Sequence, residues 1–495
     1  MFSCLGEFIG FLEKKGDLVR VHGEISTVLE VTEVHRRLVK EGGPAVIFEN
    51  VVNERGACEV PMLVNLYGTV RRIAYGLGVE PEKLRDVGRL LAFLRAPTPP
   101  ESFRDLLSMF PMLKNVVSAR TSTVKRAECQ SIVIHGEEVD LGALPIQTCW
   151  PGEPAPLITW PIVVTRGPTS AREDNFNLGV YRMQVVGRNT CIMRWLHHRG
   201  GAQQYSRWVH EGRGNFPAAV VIGTDPATTI AAVSPVPDTM SEYQFAGILR
   251  KKPTELVNCV TIPLQVPANA EIVLEGYVSA SDLLDEGPYG DHTGYYNSRE
   301  KFPKFEITAM TMKRSPVYLS TYTGRPPDEC SVLGEVLNEI VIPIMISQYP
   351  EIVDFWLPPE ACSYRVAIVS IRKAYPGHAR RIIMGVLSFL RQFTYVKFVI
   401  VVDEDICIRS WNDVIWAIAT RMDPARDMVF LHNTPIDYLD FASVETGLGS
   451  KVGFDATNKV YPETHREWGT PIKMKEEIVE KVTSKWREYG FTTNT

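Results

Sequence analysis

The sequence predicts a multi-domain α/β protein built from three consecutive parts, and three observations support this prediction. The chain has 495 residues, whereas a single domain usually has about 100–200. Hydrophobic residues make up 45% and charged residues 22% of it, as in ordinary globular proteins. Short β-rich segments fill the middle of the chain, between two regions in which helical and strand-like patterns alternate.

The first part, residues 1–118, is predicted to be a small α/β domain. It opens with an amphipathic helix that ends near Gly16. Segments with strand or helix patterns follow at 46–49, 62–65, 70–77 and 87–94. Three prolines within 96–101 cannot continue a helix, so we expect a boundary or a rigid loop there.

The second part, residues 119–322, is predicted to be an antiparallel β-barrel or sandwich. Many short strands separated by turns rich in proline and glycine are typical of all-β domains. The strand-like runs are 131–135, 159–165, 181–186, 218–222, 271–277, 304–312 and 317–322.

The third part, residues 323–495, alternates strands with helices, which indicates an α/β domain with a mainly parallel sheet. Helical spacing over 332–347 includes Pro343, which we expect to kink or end that helix. The charge pattern of 473–489 predicts a final amphipathic helix. This last helix packs either on its own chain or on a neighbouring subunit.

Charge and cysteine usage exclude several classes of protein. The formal net charge is -5, from 53 basic and 58 acidic side chains, which argues against a generally basic nucleic-acid binder. No apolar run approaches the ~20 residues needed to cross a bilayer. The first helix contains Glu7 and Glu13, so we do not expect a signal peptide. The nine cysteines form no CxxC pair, and a reducing cytoplasm fits them best.

Common catalytic motifs are absent, so the function has to be inferred from local clusters of polar residues. There is no GxGxxG after a strand, no P-loop, no HExxH and no GxSxG. The strongest cluster is EGPYGDHTGYY at 286–296, which places Glu286 and Asp291 in a turn-rich loop. A chain reversal there could bring both carboxylates to one cavity. The alternative is a solvated acidic turn above packed tyrosines.

Two further segments carry basic side chains. In NLGVYR, 177–182, Arg182 lies in an otherwise apolar strand and needs a carboxylate or phosphate partner if it is buried. A structural ion pair would satisfy it equally well. In RWLHHRGG, 194–201, arginines beside two glycines suit an anion site, although an exposed basic turn has the same composition. Adjacent His197 and His198 point to opposite faces of a strand.

Two weaker segments complete the set. In DTMSEY, 238–243, Asp238 or Ser241 could cap a helix whose first turn contains Glu242. In GLGSKVGFDATNK, 447–459, glycines surround a lysine as in a phosphate cradle, but the spacing fits no P-loop.

Taken together, these segments resemble the UbiD family of prenylated-FMN-dependent decarboxylases, in particular its 3-polyprenyl-4-hydroxybenzoate carboxy-lyase branch. The resemblance extends over nearly the whole chain. It is most specific in EGPYGDHTGYY and in the segments 320–329, 351–365, 411–427 and 433–443. It implies an N-terminal α/β domain, a central split β-barrel that binds flavin, and a C-terminal α/β domain. It also implies a homo-oligomer, a hexamer or a dimer, in which the last helix reaches a neighbour.

The resemblance assigns roles to individual residues. The implied catalytic set is Glu286, Arg182 and Asp291, with Asp291 as the proton donor where other branches have Glu. The implied metal ligands are Asn177, Glu242 and His198. The implied flavin contacts are Val180, Tyr181, Arg182, Arg194, Trp195, Leu196, Arg199, Gly200 and Lys451. The implied cofactors are prenylated FMN, Mn²⁺ and K⁺, with backbone oxygens of 231–234 near the K⁺.

The implied reaction is the non-oxidative decarboxylation of 4-hydroxy-3-polyprenylbenzoate to 2-polyprenylphenol in ubiquinone biosynthesis. The modified flavin accepts the aromatic carbon covalently, CO₂ departs, and Asp291 returns a proton. Burial and mutual repulsion favour one retained proton on the pair Glu286 and Asp291, whereas Arg182 opposes it, and the sequence does not rank these effects. Two alternatives are a different aromatic or unsaturated acid as substrate, and an inactive flavin-binding scaffold.

The resemblance also implies partners and a location. A flavin prenyltransferase has to supply the cofactor, and the aromatic acid substrate would be carried by lipid. We therefore expect the protein to be cytoplasmic or to lie loosely on the inner face of the membrane, with no nucleic-acid partner.

Overall fold

A computed structural model describes residues 1–95, 119–168, 176–196, 199–237, 240–362, 364–389 and 391–491. The three-part α/β architecture predicted from the sequence is confirmed. Each part has its own sheet.

The N-terminal part is an α/β layer in which β1 and β2 are parallel and are joined by α2. Its sheet has the order β1-β2-β4-β17, with β3 beside β2. Its first helix ends at a left-handed Gly16, as predicted. The elements are α1 Leu5–Lys15, β1 Leu18–Ser26, α2 Glu30–Glu41, β2 Ala45–Asn53, β3 Gly56–Cys58, β4 Met62–Val64, α3 Val70–Gly76 and α4 Leu84–Arg95, with β17 Tyr318–Leu319 added from further along the chain.

The strand β17 corrects one expectation. The sequence pattern places the run 317–322 in the central β-rich part, but Tyr318 pairs with Met62 and Leu319 with Leu63 of the N-terminal sheet. A two-residue apolar strand carries no local signal for its partner, because the pairing is decided by the core against which both strands pack.

The central part is dominated by a nine-stranded sheet in which all pairs are antiparallel. The strand order is β7-β10-β11-β16-β15-β12-β8-β9, with β6 beside β16. A small sheet, β14-β13-β5, packs next to it. The elements are β5 Thr121–Val124, β6 Ile132–His135, β7 Leu157–Ile158, β8 Ile162–Arg166, β9 Phe176–Val180, β10 Met183–Gly187, β11 Thr190–Met193, α5 Gly200–His210, β12 Phe216–Ile222, α6 Pro226–Ala231, α7 Glu242–Arg250, β13 Thr254–Asn258, β14 Gln265–Pro267, β15 Ile272–Glu286 and β16 Glu300–Met312.

Chain connectivity shows that this sheet is curled into an open barrel. The consecutive strands β9 and β10 lie near opposite ends of the strand order, yet only residues 181–182 separate them. The strand β7 is first in this order and β8 is next to last, and these two strands are joined by residues 159–161. Because a residue spans at most about 3.6 Å, the two edges must approach each other. We call this line of approach the seam.

The C-terminal part contains a five-stranded sheet of order β18-β19-β20-β22-β21. The central strand β20 is buried on both faces, with Val399 and Val401 in one core cluster and Ile400 and Val402 in another. Only its inner pairs are parallel, and both edge pairs are antiparallel, so the sheet is mixed rather than mainly parallel. The elements are α8 Glu329–Gln348, β18 Ile352–Trp356, β19 Val366–Ile371, α9 His378–Phe389, β20 Phe398–Asp403, α10 Trp411–Arg421, α11 Pro424–Asp427, β21 Met428–Pro435, β22 Leu448–Asp455 and α12 Glu476–Lys485.

Two helices of this part depart from simple expectation. The helix α8 continues past Pro343 to Gln348, so the proline does not end it. By length and hydropathy α8 could also cross a membrane, but half of its apolar window is buried in the fold, and we interpret it as a core helix. In α12 no residue is buried, so among the described residues this helix does not pack on its own chain.

The crossing of α4 and α8 gives a test of packing. A methyl group at Gly88 would lie 2.3 Å from the carbonyl oxygen of Ile340, whereas at Gly10 of α1 it would meet nothing within 4 Å. We expect Gly88→Ala to reduce the free energy of unfolding by about 1–3 kcal/mol through overpacking. The matched control, Gly10→Ala, should be neutral or stabilising by up to about 1 kcal/mol. Thermal melting of both variants checks this, and equal melting temperatures would contradict it.

Candidate active site

The side chain of Arg182 occupies the seam and gathers three acceptors. Its Nε atom donates to Oε1 of Glu286 at 2.9 Å, and its Nη1 atom donates to Oδ2 of Asp291 at 2.7 Å. Its Nη2 atom donates to Oδ1 of Asn297 at 2.9 Å. Arg182 lies in the link between β9 and β10, not within a strand as the sequence suggested. The structure therefore brings together the three predicted catalytic residues.

The loop between β15 and β16 is rigidly built, which decides between the two interpretations of EGPYGDHTGYY. Asn297 accepts a hydrogen bond from the backbone N–H of Tyr289 at 2.7 Å and donates its own N–H to the Tyr289 carbonyl at 2.9 Å. A side chain at Gly290 would strike Trp150 at 2.2 Å. The side chain of Glu286 is fully buried. The segment is thus a packed loop that presents carboxylates to Arg182, and not a solvated acidic turn.

A second arginine stands behind this cluster. The Nε atom of Arg194 forms an ion pair with Oε2 of Glu286 at 3.4 Å. Its guanidinium lies over the rings of Phe302 and Tyr438, at 5.3 and 5.1 Å, and hydrogen-bonds the Tyr438 hydroxyl. Arg194 is therefore a buried part of the site and not part of an exposed basic turn.

The structure ranks the electrostatic effects that the sequence left open. Burial raises the pKa of Asp291, but the charge of Arg182 and the hydrogen bond from His292 outweigh it and hold the pKa well below its usual range. Burial lowers the pKa of Arg182, and the two carboxylates reverse this and raise it. In this arrangement Asp291 is ionised, so the expectation of a retained proton does not hold for Asp291. The reason is that opposite charge in direct contact exceeds the desolvation cost.

A third carboxyl group, which the sequence analysis did not single out, lies beside the cluster. Oε2 of Glu153 accepts the N–H of Cys149 at 2.6 Å, and its Oε1 accepts the N–H of Gly290 at 3.3 Å. Burial raises the pKa of Glu153 to about 7, in spite of these N–H donors. It shares a small cavity with Cys149, Leu157, Thr159, Arg182, Gly290 and Thr323.

The predicted metal and flavin residues form a second group near the start of α5. The N–H of Leu178 donates to Oε2 of Glu242 at 3.0 Å, which brings this carboxylate next to Asn177. A side chain at Gly200 would lie 2.0 Å from Oδ1 of Asn177, so only glycine leaves room there. Of the two predicted caps, Ser241 caps α7, in a capping box with Gln244.

The oxygen atoms of these residues are chemically suited to a divalent ion. Amide and carboxylate oxygens, as in Asn177 and Glu242, are the ligands that hard cations prefer. Nδ2 of Asn177 is buried and has no hydrogen-bond partner among the described residues. Within the same ranges no group of three His, Cys, Asp or Glu side chains could hold a metal ion. His198, the third predicted ligand, lies outside the described residues, as do His197 and Asp238.

The remaining predicted flavin contacts are spread around this group. Tyr181 and Trp195 are buried and meet edge to face, with ring centroids 6.4 Å apart. Val180 ends β9, and the carbonyl of Leu196 accepts the N–H of Arg199 at 2.9 Å. Val180 and Tyr181 therefore lie at the seam, and Arg199 lies directly before α5.

Lys451 lies apart, in the C-terminal part. Its ammonium group donates to the backbone oxygens of Thr394 and Val396, both at 2.6 Å, and burial lowers its pKa to about 8. The positive charge of Arg199 acts on the hydroxyl of Tyr395, so these two side chains lie near each other. Arg199, from the central part, and Lys451, from the C-terminal part, therefore both lie near residues 394–396. The assignment of Lys451 to a flavin phosphate stays a prediction.

Sequence reasoning missed Asn297, Glu153 and Tyr438, for different reasons. Asn297 stands one residue beyond the segment 286–296, and a single polar residue in a turn carries no signal of its own. Glu153 lies in a proline-rich loop that reads as surface. Tyr438 comes from another domain, and its proximity to Arg194 depends on how the domains pack.

Comparison with known proteins supplies the family. Three family models match: the 3-octaprenyl-4-hydroxybenzoate carboxy-lyase N-terminal domain over residues 9–91, its Rift-related domain over 120–326 and its C-terminal domain over 331–456. The chain belongs to the UbiD family. It is accordingly a decarboxylase of the prenylated-FMN-dependent class.

Solved UbiD-class structures are similar over almost the whole chain. The enzyme HmfF from Pelotomaculum thermopropionicum, in complex with FMN, is 29% identical, with a TM-score of 0.78 and 94% of this chain and 97% of that chain covered. An evolved dimeric form of HmfF in complex with prFMN is 28% identical, with a TM-score of 0.78 and 99% and 100% covered. The vanillic acid decarboxylase of Sedimentibacter hydroxybenzoicus, in closed form, is 26% identical, with a TM-score of 0.84 and 99% and 100% covered.

The raised pKa of Glu153 gives a test by pH. Because its folded pKa is about 7 against an ordinary 4.5, the protonated form favours folding, and this stability is lost as the pH rises from about 4.5 to about 7. The loss should amount to about 3 kcal/mol. Glu153→Gln stays neutral, so we expect its melting temperature to fall less than that of the wild type between pH 5 and pH 8.

The matched control is the exposed Glu137, whose change to Gln should leave the wild-type pH dependence intact. If Glu153→Gln and the wild type lost the same number of degrees over this range, the carboxyl would not be titrating as described.

Proposed function

We propose that this enzyme decarboxylates 4-hydroxy-3-polyprenylbenzoate to 2-polyprenylphenol, as in ubiquinone biosynthesis. The observation that supports turnover is the convergence of Glu286 and Asp291 on Arg182 within a packed seam. The substrate is supported by the family description, a 3-octaprenyl-4-hydroxybenzoate carboxy-lyase, which matches all three parts of the chain.

Prenylated FMN, when bound, supplies the electron sink that the departure of CO₂ requires and that no side chain provides. We propose that it is held at the seam by Val180, Tyr181 and Arg182, with Lys451 on the phosphate side. The further contacts proposed are Arg194, Trp195, Leu196, Arg199 and Gly200. Asn177 and Glu242, with His198, would hold Mn²⁺ beside that phosphate, and backbone oxygens of 231–234 would hold K⁺.

The side chains of the cluster have distinct tasks in this proposal. Arg182 is a cation in a water-poor site and binds the carboxylate of the incoming substrate. A substrate anion at Arg182 weakens its hold on Asp291, so the pKa of Asp291 rises and the carboxyl can take up a proton. Asp291 then gives this proton to the ring carbon that lost CO₂. Glu286 keeps Arg182 and Arg194 oriented through both of its oxygens.

The proposed function also implies partners: a second copy of the chain, a cofactor supplier and a membrane surface. The exposed apolar face of α12, with Ile478, Val479 and Val482 and the following Trp486, supports assembly into a homo-oligomer through this helix. A flavin prenyltransferase would supply the cofactor. A lipid-borne substrate would bring this cytoplasmic enzyme to the inner face of the membrane.

One alternative substrate class is supported by a specific observation. Similar structures include a vanillic acid decarboxylase, at 26% identity, so a smaller hydroxylated aromatic acid fits the same fold. An inactive scaffold has no such support, because all three members of the predicted catalytic set are present and in contact.

The proposal is tested by co-expression with a flavin prenyltransferase. We expect mass spectrometry of the released small molecule to give prenylated FMN, and the loaded enzyme to release CO₂ from 4-hydroxy-3-polyprenylbenzoate in preference to vanillic acid. Preference for vanillic acid would move the substrate to the alternative class. Loaded enzyme without turnover of any aromatic or unsaturated acid would favour the scaffold.

The role of Asp291 is tested by Asp291→Asn, which removes the transferable proton and keeps the shape of the side chain. We expect the variant to bind the cofactor and to lose about 10²–10⁴-fold in kcat. The matched control is Asp282→Asn in β15, because Asp282 is 56% exposed and forms an ion pair with Lys304, away from the cluster. A near-wild-type rate for Asp291→Asn, measured as CO₂ release, would remove Asp291 from the proton transfer.

A further inference from the structure

Two exposed aromatic side chains meet at the boundary between the central and the C-terminal parts. The rings of Tyr295, from the β15–β16 loop, and Phe441, from the loop after β21, lie edge to face with centroids 5.7 Å apart. They are still 65% and 56% exposed, and Val444, in the same loop as Phe441, is exposed as well. Single exposed apolar side chains are ordinary on a protein surface, whereas a cluster of them marks an interaction site. We call Tyr295 and Phe441 the aromatic pair.

Tyr295 is held in place by the turn that carries Asp291. The N–H of Asp291 donates to the carbonyl oxygen of Tyr295 at 3.1 Å, and the N–H of Gly294 donates to the carbonyl oxygen of Asp291 at 2.8 Å. Gly294 has a left-handed φ of 81°, and a methyl group there would lie 2.8 Å from Cβ of Arg325. The turn is therefore tight, and it presents Tyr295 to solvent immediately beside the cluster.

Phe441 is held by the segment of the C-terminal part that reaches the cluster. Three residues before it, Tyr438 hydrogen-bonds Arg194. Its neighbour Asp440 is buried and pairs with Lys397 at 2.8 Å. The backbone on the N-terminal side of Phe441 is thus fixed by polar contacts, and the ring stays on the surface in spite of its apolar character.

The loop and this segment are joined by His292. Its ring Nδ1 is 2.9 Å from Oδ1 of Asp291, and its Nε2 pairs with Oδ2 of Asp437 at 3.4 Å. Burial lowers the pKa of His292, but the hydrogen bonds to Asp291 and Asp437 outweigh it and raise the pKa to about 9. The imidazole is therefore a cation at neutral pH, and its two ion pairs keep the aromatic pair at a fixed place relative to the cluster.

The cluster and the aromatic pair together suit an acid that carries an apolar chain. Arg182 binds the carboxylate in the proposed function, and its direct partners are carboxylate and amide groups, which gain nothing from a hydrocarbon. The aromatic pair has apolar area left to cover, and removing that area from water stabilises a complex in proportion to its size. An acid without the chain gains nothing from these two rings.

We propose that the aromatic pair forms a tail site, which binds the beginning of the prenyl tail where the tail leaves the active site. The ligand is an unsaturated, branched hydrocarbon chain attached to a hydroxybenzoate ring. This inference rests on the proposed function, because it adds a subsite for the tail of the proposed substrate. The two rings take no part in the decarboxylation, and they raise the affinity for the tailed acid over the untailed one.

Kinetics of the loaded enzyme test the tail site. The two acids compared are 4-hydroxy-3-farnesylbenzoate and 4-hydroxy-3-methylbenzoate, which differ only in the chain. We expect the double variant Tyr295→Ser and Phe441→Ser to raise KM for the farnesyl acid by about tenfold with kcat unchanged, because the contact is equal in the ground state and the transition state. KM for the methyl acid should change by less than about twofold.

Two further variants serve as controls. Phe430→Ser removes a phenylalanine of β21 that is 56% exposed, as Phe441 is, and it should keep the wild-type KM for both acids. Phe441→Leu keeps an apolar surface at the tail site, and we expect it to retain most of the affinity for the farnesyl acid.

Equilibrium binding separates this inference from the proposed function. With prenylated FMN bound and Asp291→Asn in the chain to slow turnover, isothermal titration gives the dissociation constant of each acid. We expect the farnesyl acid to bind more tightly than the methyl acid, and the double variant to lose this difference. If the enzyme turns over neither acid, the proposed function fails, and the comparison of dissociation constants still decides the tail site.

Three results would overturn the tail site. The first is a KM and a dissociation constant of the farnesyl acid that the double variant leaves unchanged. The second is an equal loss of affinity for both acids, which would mean damage to the acid-binding cluster. The third is a changed oligomeric state of the double variant in analytical ultracentrifugation, which would assign the aromatic pair to a contact between copies of the chain. Should the double variant fail to fold, Phe441→Ser alone is compared with Phe441→Leu.

Discussion

The constraint on which the site depends is the neutralisation of one arginine at the place where a curled sheet nearly closes. Taking a guanidinium out of water is costly unless its donors are satisfied, and an unpaired buried charge is strongly destabilising. Arg182 meets this demand with Glu286, Asp291 and Asn297, which all belong to one loop and its flanking strand. The loop is ordered by the arginine, and the arginine is positioned by the short link that crosses the seam.

The C-terminal domain completes this arrangement. Two neighbouring residues, Asp437 and Tyr438, reach the cluster by separate contacts, Asp437 at His292 and Tyr438 at Arg194. His292 in turn contacts Asp291, and Arg194 contacts Glu286. The C-terminal domain therefore influences both carboxylates indirectly, through these two cations. The state of the domain interface and the ionisation of the cluster are therefore linked by electrostatics, and a change in one is felt by the other.

Much of the fold and part of the site could be predicted from the sequence, because some signals are local. An arginine among apolar residues demands an anionic partner, and the carboxylates of EGPYGDHTGYY stand in a loop whose glycines and proline exclude regular structure. Other features are set by tertiary contacts. The partner of the short strand β17, the passage of α8 through Pro343, and the approach of Glu153 to Gly290 depend on packing between distant segments. The pKa of Asp291 also depends on tertiary contacts, because the distance to Arg182 decides whether its charge outweighs the effect of burial.

The two links that cross the seam also limit how the enzyme can adapt to its substrate. Only residues 181–182 join β9 to β10, so three peptide steps of 3.8 Å hold those strand ends within about 11 Å of each other. The sheet is tethered against itself and cannot widen to admit a larger molecule. For the proposed polyprenyl substrate, room for the tail would have to come from the side facing the C-terminal domain. Selectivity for the length of that tail would then reside in the surface of that domain, while the tethered sheet keeps a fixed opening for the acid group.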